Sequence, residues 1–181
     1  MESTESVQDY LKAIYSLGHE EPEVTTSAIA ARLGVSSASV TAMVRRLSAA
    51  GHVRHKLYQG VELTESGRSL ALEVIRHHRL IEAYLHKSLG VPWDRVHQEA
   101  EVLEHALSEE LEDRISEALG HPTHDPHGDP IPPKKGRYTE IRHRTLGDTA
   151  AGPATVERVS DRDASALRYL DRLGLRPGAS I

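Results

Sequence analysis

Apolar residues recur at helical spacing from about Ser6 to Gly18, where Val7, Leu11, Ile14, Tyr15 and Leu17 share a face ahead of a Gly-His-Glu-Glu-Pro break. A second short helix is predicted from Thr26 to Leu33, stopped by Gly34. A third runs from a cap at Ser36 or Ser37 to Ala50, with Val40, Val44 and Leu47 on one side and Gly51 as its terminator. Residues 52–57 and 61–64 read as two short strands around a Tyr-Gln-Gly turn, a hairpin or wing. Thr64 then caps a long helix from Glu65 to about Leu89, with Leu70, Val74, His78, Ile81 and Leu85 in one stripe. Gly90-Val-Pro92 breaks it, and Trp93 or Asp94 opens a further helix that reaches Leu119 with a bend at Ser108.

Beyond Leu119 the pattern changes. Residues 120–136 hold five of the nine prolines and read as a tether or an ordered loop. From Arg137 the chain is basic and strand-like in patches, with a short helix at Asp161–Leu173 and a strand beginning at Pro177-Gly-Ala-Ser-Ile181. The predicted fold is mainly α, in three parts. Residues 1–68 form a winged helix-turn-helix, residues 69–136 a helical domain with a Pro-rich linker, and residues 137–181 part of a small β domain that is incomplete here.

The turn around Gly34-Val35 decides the chemistry of the first part. Contacts among Ile29, Leu33, Val35, Val40 and Val44 set a crossing angle that pushes the third helix outward, with its N-terminal end free to enter a major groove. Ser36, Ser37, Ser39 and Thr41 at that end suit phosphates and water-mediated base contacts, and Ala38 and Ala42 suit thymine methyls. Arg45, Arg46, Arg54 and Lys56 are placed to meet phosphates, with the wing tip at Tyr58 near the backbone. No arginine is set for bidentate guanine reading, so specificity leans on DNA shape. A winged helix used only for protein contacts is the alternative.

The net charge of -5 argues against a nucleic-acid partner until it is divided along the chain. Residues 1–26 carry -5, residues 27–79 carry +5, residues 80–130 carry -9 and residues 131–181 carry +4. The basic block coincides with the reading head, and the acidic block calls for solvation or a cation. There is no cysteine, which excludes disulfides, thiolate metal sites and thiol catalysis, whereas twelve histidines leave His/Asp/Glu metal sites open. No apolar run is long enough for a membrane span, and the N-terminus is unlike a signal peptide, so a cytoplasmic location is expected.

In the acidic block His97, Glu101, Glu104, His105 and Ser108 share one face of a helix, beside a packing stripe of Val96, Ala100, Leu103, Leu107 and Leu111. Carboxylates at the edge of a core repel one another and are costly to desolvate, and a divalent cation resolves both problems. His78 and Glu82 repeat the geometry one turn apart on the preceding helix. Two other readings use the same residues: solvated faces on a regulator that answers to an organic ligand, and a metal-dependent hydrolase. The hydrolase lacks a Gly-rich phosphate loop and an evident nucleophile, so the chain does not read as an enzyme.

Taken together, Asp9-Tyr-Leu-Lys-Ala-Ile-Tyr15, the helix-turn-helix, Glu65-Ser-Gly-Arg68, His77-His-Arg-Leu80, Val96-His-Gln-Glu-Ala100, Glu104-His105 and Asp125-Pro-His-Gly-Asp-Pro-Ile-Pro132 resemble the diphtheria-toxin-repressor family of metal-dependent regulators, in its manganese-responsive branch. The resemblance implies a winged helix-turn-helix, a helical dimerisation and metal-binding domain, and an SH3-like domain reached through a Pro-rich linker. It also implies a homodimer that grips a palindromic double-stranded DNA operator when metal is bound and represses metal-uptake genes. The implied primary ligands are Asp9, Glu101, Glu104 and His105. The implied ancillary ligands are His78, Glu82 and His97 with an acid from the last domain at Asp163, and Asp125 and His127 compete for that role. Iron-responsive members place Met and Cys where this chain has Asp9 and Glu101. Hard carboxylates in those places make Mn2+ the favoured effector and Fe2+ the second, with one or two ions per subunit. Lys12 stands where the manganese branch has a further carboxylate, and a charged lysine cannot ligate a metal.

Overall fold

The first apolar period is realised in α1 (Glu5–Glu20), where Val7, Leu11, Ile14 and Leu17 are buried. The helix runs through Gly18 and ends only at Glu21, whose extended backbone leaves the helical region. The computed structural model describes residues 4–56, 60–136, 138–139, 144–149 and 151–181. The described chain divides into two compact units, with the boundary after Ile75.

In the first unit α2 (Thr26–Leu33) starts where the Thr25 hydroxyl accepts the Ala28 amide, and it stops at Gly34, whose φ of +65° is open to glycine at no steric cost. Three residues on, Ser36 caps α3 (Ser37–Ala49) by accepting the Ser39 amide at 3.2 Å. The two helix axes bend by 111°, within the range of a helix-turn-helix. Ile29, Val40, Val44 and Leu47 fill the angle, each almost fully buried, and each such side chain contributes about 1.5–3 kcal/mol of transfer free energy. Val35, expected in that contact set, is exposed, because the tight turn carries it past the angle. β1 (Val53–Lys56) pairs antiparallel with β2 (Gly60–Leu63), from Val53 opposite Leu63 to Lys56 opposite Gly60. The Val61 amide bonds to the Val24 carbonyl at 2.9 Å and fixes the hairpin to the segment before α2.

The boundary between units falls within α4 (Glu65–Leu89). In the second unit Leu80 and Ala83 of α4 pack against Ile115, Leu119 and Ile131, while Ile81 and Leu85 pack against Val96 and Ala100. The helix expected from residue 93 to Leu119 is two helices, α5 (Val96–Leu103) and α6 (Glu109–Ala118), and the second is capped by the Ser108 hydroxyl. The break ends the packing stripe early. Val96 and Ala100 are buried, whereas Leu103 and Leu111 are exposed.

The Pro-rich stretch is an ordered loop, closed by a bridge between His124 and Pro130. After residue 137 the expected strands contract, among the described residues, to one antiparallel bridge between Thr155 and Ser180. Pro153 and Pro177 flank it, and proline has no N–H with which to extend a ladder. The helix near the end is α7 (Ala164–Arg172), shorter at both ends than expected. A third apolar cluster of Trp93, Val159 and Leu167 holds this segment to the corner between α4 and α5. No single described helix is long and apolar enough to cross a membrane.

Candidate metal centre and DNA interface

The outer end of α3 presents Ser36, Ser37, Ala38, Ser39, Thr41 and Ala42, all exposed, with Arg45 and Arg46 two turns on and Arg54 exposed on β1. Two of the hydroxyls are committed locally. Ser36 caps the helix, and Thr41 donates back to the Ser37 carbonyl at 2.9 Å. The Lys56 side chain and Tyr58 lie outside the described residues.

In the second unit one helical turn of α4 carries His78 and Glu82, with His78 Nε2 3.1 Å from Glu82 Oε1. α5 brings His97, whose Nδ1 lies 3.1 Å from His78 Nε2 and 3.4 Å from Glu82 Oε1. The segment before α7 adds Asp161, its carboxylate 3.1 Å from His97 Nδ1. One atom from each of these four residues falls within 4.8 Å of the others. A second group shares Glu82 with Asp125 and His127, all buried.

The loop that holds His127 is built for its task. Asp125 Oδ1 accepts the amides of His127 at 2.8 Å and Asp129 at 2.9 Å, closing an Asx-type turn. Gly128 permits the close approach that follows: at φ +90° it lies against the Glu157 carbonyl, which a Cβ would meet at 2.1 Å. Arg79 donates to Asp129 at 3.0 Å and to the Pro130 carbonyl at 2.6 Å, and Arg158 donates to Asp129 at 2.9 Å. The His127 ring donates from Nε2 to the Trp93 carbonyl at 2.7 Å, so that Nδ1 faces the pocket and offers a lone pair whenever the ring is neutral. Both His127 Nδ1 and Glu82 Oε2 are buried without a hydrogen-bond partner, and they lie 3.6 Å apart.

Glu104 ends α5 and is almost fully buried. His78 Nδ1 bonds its Oε2, while His105 Nε2 stands 3.6 Å from its Oε1. Glu101, half exposed, lies 3.7 Å from His78 Nδ1 and completes a third group with His78 and Glu104. Asp9, the remaining expected ligand, is half-buried on α1 of the first unit.

The electrostatics match an ion-binding pocket. Burial pushes the Glu82 carboxyl upward, but the approach of His127 and the bond from His78 outweigh it and hold the group well below the usual carboxylate range. The hydrogen bond to Asp161, aided by Glu82, raises His97 to about 10. Burial opposes a charge on His127, yet Glu82 and the Trp93 carbonyl raise it to about 9. Asp125 is pushed well up by burial and then by the charges of Glu82 and Asp129. Without an ion, the negative charge of the pocket is answered by protons on His97 and His127.

The ancillary residues His78, Glu82 and His97 therefore come together, with Asp125 and His127 at their side. Asp163 does not join them. Its carboxylate accepts the Ser165 and Ala166 amides as the cap of α7, and Asp161, two residues earlier, reaches His97 instead. The Asp-Ala-Ser-Ala sequence at 163–166 is a helix-cap signal that reserves Asp163 and leaves Asp161 available. Arg79, Asp129 and the Trp93 carbonyl also support the pocket, and no local sequence pattern marks them for it.

Residues 2–61 match the family described as iron dependent repressor, N-terminal DNA binding domain, and residues 64–133 match iron dependent repressor, metal binding and dimerisation domain. A solved manganese-dependent transcriptional repressor in complex with manganese is 43% identical, with a TM-score of 0.89 over 96% of this chain and 80% of that one. The chain belongs to the diphtheria-toxin-repressor family of iron-dependent repressors. Other members include the manganese regulator SloR, 34% identical, with a TM-score of 0.81 over 99% of this chain and 83% of that one. The iron-dependent repressor IdeR of Mycobacterium tuberculosis is 40% identical over 131 residues, 72% of this chain. Those residues span 57% of the length of that relative. The family is one of transcriptional repressors, not of enzymes, which removes the hydrolase alternative.

Proposed function

We propose that this chain is a metal-dependent DNA-binding repressor, active as a homodimer on a palindromic operator in the cytoplasm, with Mn2+ its favoured effector and Fe2+ the second. The observation that carries the reading is the buried pair of Glu82 Oε2 and His127 Nδ1, two ligand-type atoms without a partner inside a group of His, Asp and Glu. In the metal-free protein these two buried atoms face each other at 3.6 Å, too far apart for a hydrogen bond, and a divalent cation that displaces the His127 proton satisfies both. The donors are oxygen and imidazole nitrogen with no sulfur, a set that suits Mn2+ and leaves Fe2+ second. The neighbour solved with manganese is consistent with that choice.

Glu82 would hold one ion with ligands from the two groups it joins, His78, His97 and Asp161 in one and Asp125 and His127 in the other. Asp9, Glu101, Glu104 and His105 would hold the other, the set implied by the resemblance to the family. A bound cation supplies positive charge that neutralises these carboxylates and fixes the ligating side chains. His127 is held in its ligating tautomer by Trp93, and Glu104 is held by His78. Residues 1–68 would act as the reading head and residues 69–136 as the dimerisation and metal-binding domain. Residues 137–181, read as SH3-like, would contribute Asp161. The exposed Val102, Leu103 and Leu111, within the segment matching a dimerisation domain, support the homodimer. On α3 the exposed Ser37, Ala38, Ser39 and Ala42 would meet bases and phosphates, with Arg45, Arg46 and Arg54 on the backbone.

The test is operator binding by the purified chain with Mn2+, Fe2+, Zn2+ and Co2+ in turn. The reading expects binding with metal, Mn2+ being effective, and loss of binding on chelation. Equal binding in the presence of a chelator would overturn it.

A further inference from the structure

His77 lies next to His78 on α4, is buried, and stands outside the three ligand groups described above, its own neighbours of ligand type being the exposed Glu73 and Glu109. Its ring nitrogens each face an acceptor on a different element. Nδ1 lies 3.3 Å from the backbone carbonyl of Glu104, and Nε2 lies 3.3 Å from Glu112 Oε2 at the start of α6. The far end is anchored, because Glu112 is almost fully buried and its other oxygen bonds to Arg76 Nε, while Lys134 Nζ approaches at 3.6 Å. Arg76 also donates to the Pro132 carbonyl at 2.8 Å, so the anchor is tied to the loop beyond α6.

The carbonyl at the near end has a particular position. It belongs to the peptide that joins Glu104 to His105, two neighbouring candidate ligands, at the C-terminal end of α5, where carbonyls lack intrahelical donors. A planar peptide moves as one body, so a donor that fixes its carbonyl fixes the directions from which both side chains leave. Adjacent residues of α4 thus grip Glu104 twice, His78 by the carboxylate and His77 by the main chain.

We propose that His77 is a positioning residue for metal binding: by holding the Glu104–His105 peptide against the Glu112 anchor, it sets the angle between these two ligands without touching the ion. The proposal rests on the reading that Glu104 and His105 hold metal. Outer partners that orient ligands are typically worth about 10–100-fold in metal affinity.

The test titrates Mn2+ into the purified chain and follows free Mn2+ by its EPR signal, in a Glu82→Gln background that leaves the site of Glu104 and His105 to be read alone. His77→Leu is expected to weaken that site by about 10–100-fold. His77→Gln, whose amide nitrogen can donate to two acceptors, is expected to recover most of the loss. In the metal-free protein the amide resonance of His105 moves in the Leu variant and returns towards the parent position in the Gln variant. Unchanged affinity in His77→Leu, or equal losses in the Leu and Gln variants, would overturn the proposal. If His77→Leu fails to fold, Glu112→Leu, which has no hydrogen-bonding group, releases the ring from its anchor, and unchanged Mn2+ affinity there overturns it as well. Glu104→Gln in the same background separates the two levels. Undiminished binding in that variant defeats the metal reading itself, whereas abolished binding there with His77→Leu unaffected defeats only the positioning role.

Discussion

Glu82 Oε2 and His127 Nδ1 lie 3.6 Å apart, both fully buried and neither hydrogen-bonded, although they come from a helix and a loop 45 residues apart in sequence. Two ligand atoms held face to face in this way would form a preorganised ion site. Replacing either one, by Glu82→Gln or His127→Ala, is expected to cost more Mn2+ affinity than the ~10–100-fold typical of outer partners. Isothermal titration would measure it, and a loss below tenfold would remove these residues from the ligand set.

The loop that delivers His127 depends on Gly128. Substitution by alanine adds a Cβ 2.1 Å from the Glu157 carbonyl at a φ of +90°. The clash and the backbone strain together are expected to destabilise the second unit by about 1–3 kcal/mol. Mn2+ affinity should fall as well, because the His127 carbonyl also accepts the Val159 amide at 2.9 Å and the two segments move together. Denaturant melts and Mn2+ titration of Gly128→Ala check both effects.

The His97–Asp161 pair sets a pH dependence of known sign. His97 is raised from 6.5 to about 10 by its bonds to Asp161 and Glu82. Burial pushes Asp161 upward, but the His97 bond outweighs it and brings the carboxyl from 3.8 to about 2. In the metal-free protein this single pair stabilises the fold fully between pH 3.8 and 6.5. The contribution fades as pH rises towards 10, where His97 loses its proton, and as pH falls towards 2, where Asp161 gains one. Metal binding runs the other way, since a ligating ring must lose its proton, and Mn2+ affinity should rise with pH by up to about tenfold per unit for each proton displaced. Unfolding and Mn2+ titrations between about pH 5 and about pH 9 would show the opposite slopes.

Much of this was legible in the residues. Helical periods and cap residues located α1 to α4, and the histidine and carboxylate spacings located His78, Glu82 and His97, because partners one turn apart on a helix are visible as sequence intervals. The break at Glu104 was harder to see, since a bend and a full interruption leave the same apolar pattern, and only the Ser108 cap distinguishes them. Asp161 was displaced by Asp163 because the choice between two nearby acids depends on which one the helix uses as its cap. His127 had no periodic partner at all. Its burial comes from Trp93, Gly128 and the Asp125 turn, contacts that exist only once the chain has folded.

For DNA, the exposed Arg45 and Arg54 are expected to act on phosphates. Each change to alanine should weaken operator and unrelated duplexes alike and lower the slope of log affinity against log salt by about 1. A change confined to the operator sequence would instead assign that arginine to base recognition. Salt titrations on the two duplexes distinguish these outcomes.

The central claim is that metal held by Glu104 and its partners licenses DNA binding. Fluorescence anisotropy with a labelled palindromic duplex, titrated with protein in the presence of Mn2+ and again with a chelator, tests it in the parent chain and in Asp9→Ala and Glu104→Ala. The account predicts Mn2+-dependent binding in the parent and its loss in both variants. Mn2+-dependent binding that survives both substitutions unchanged would contradict it.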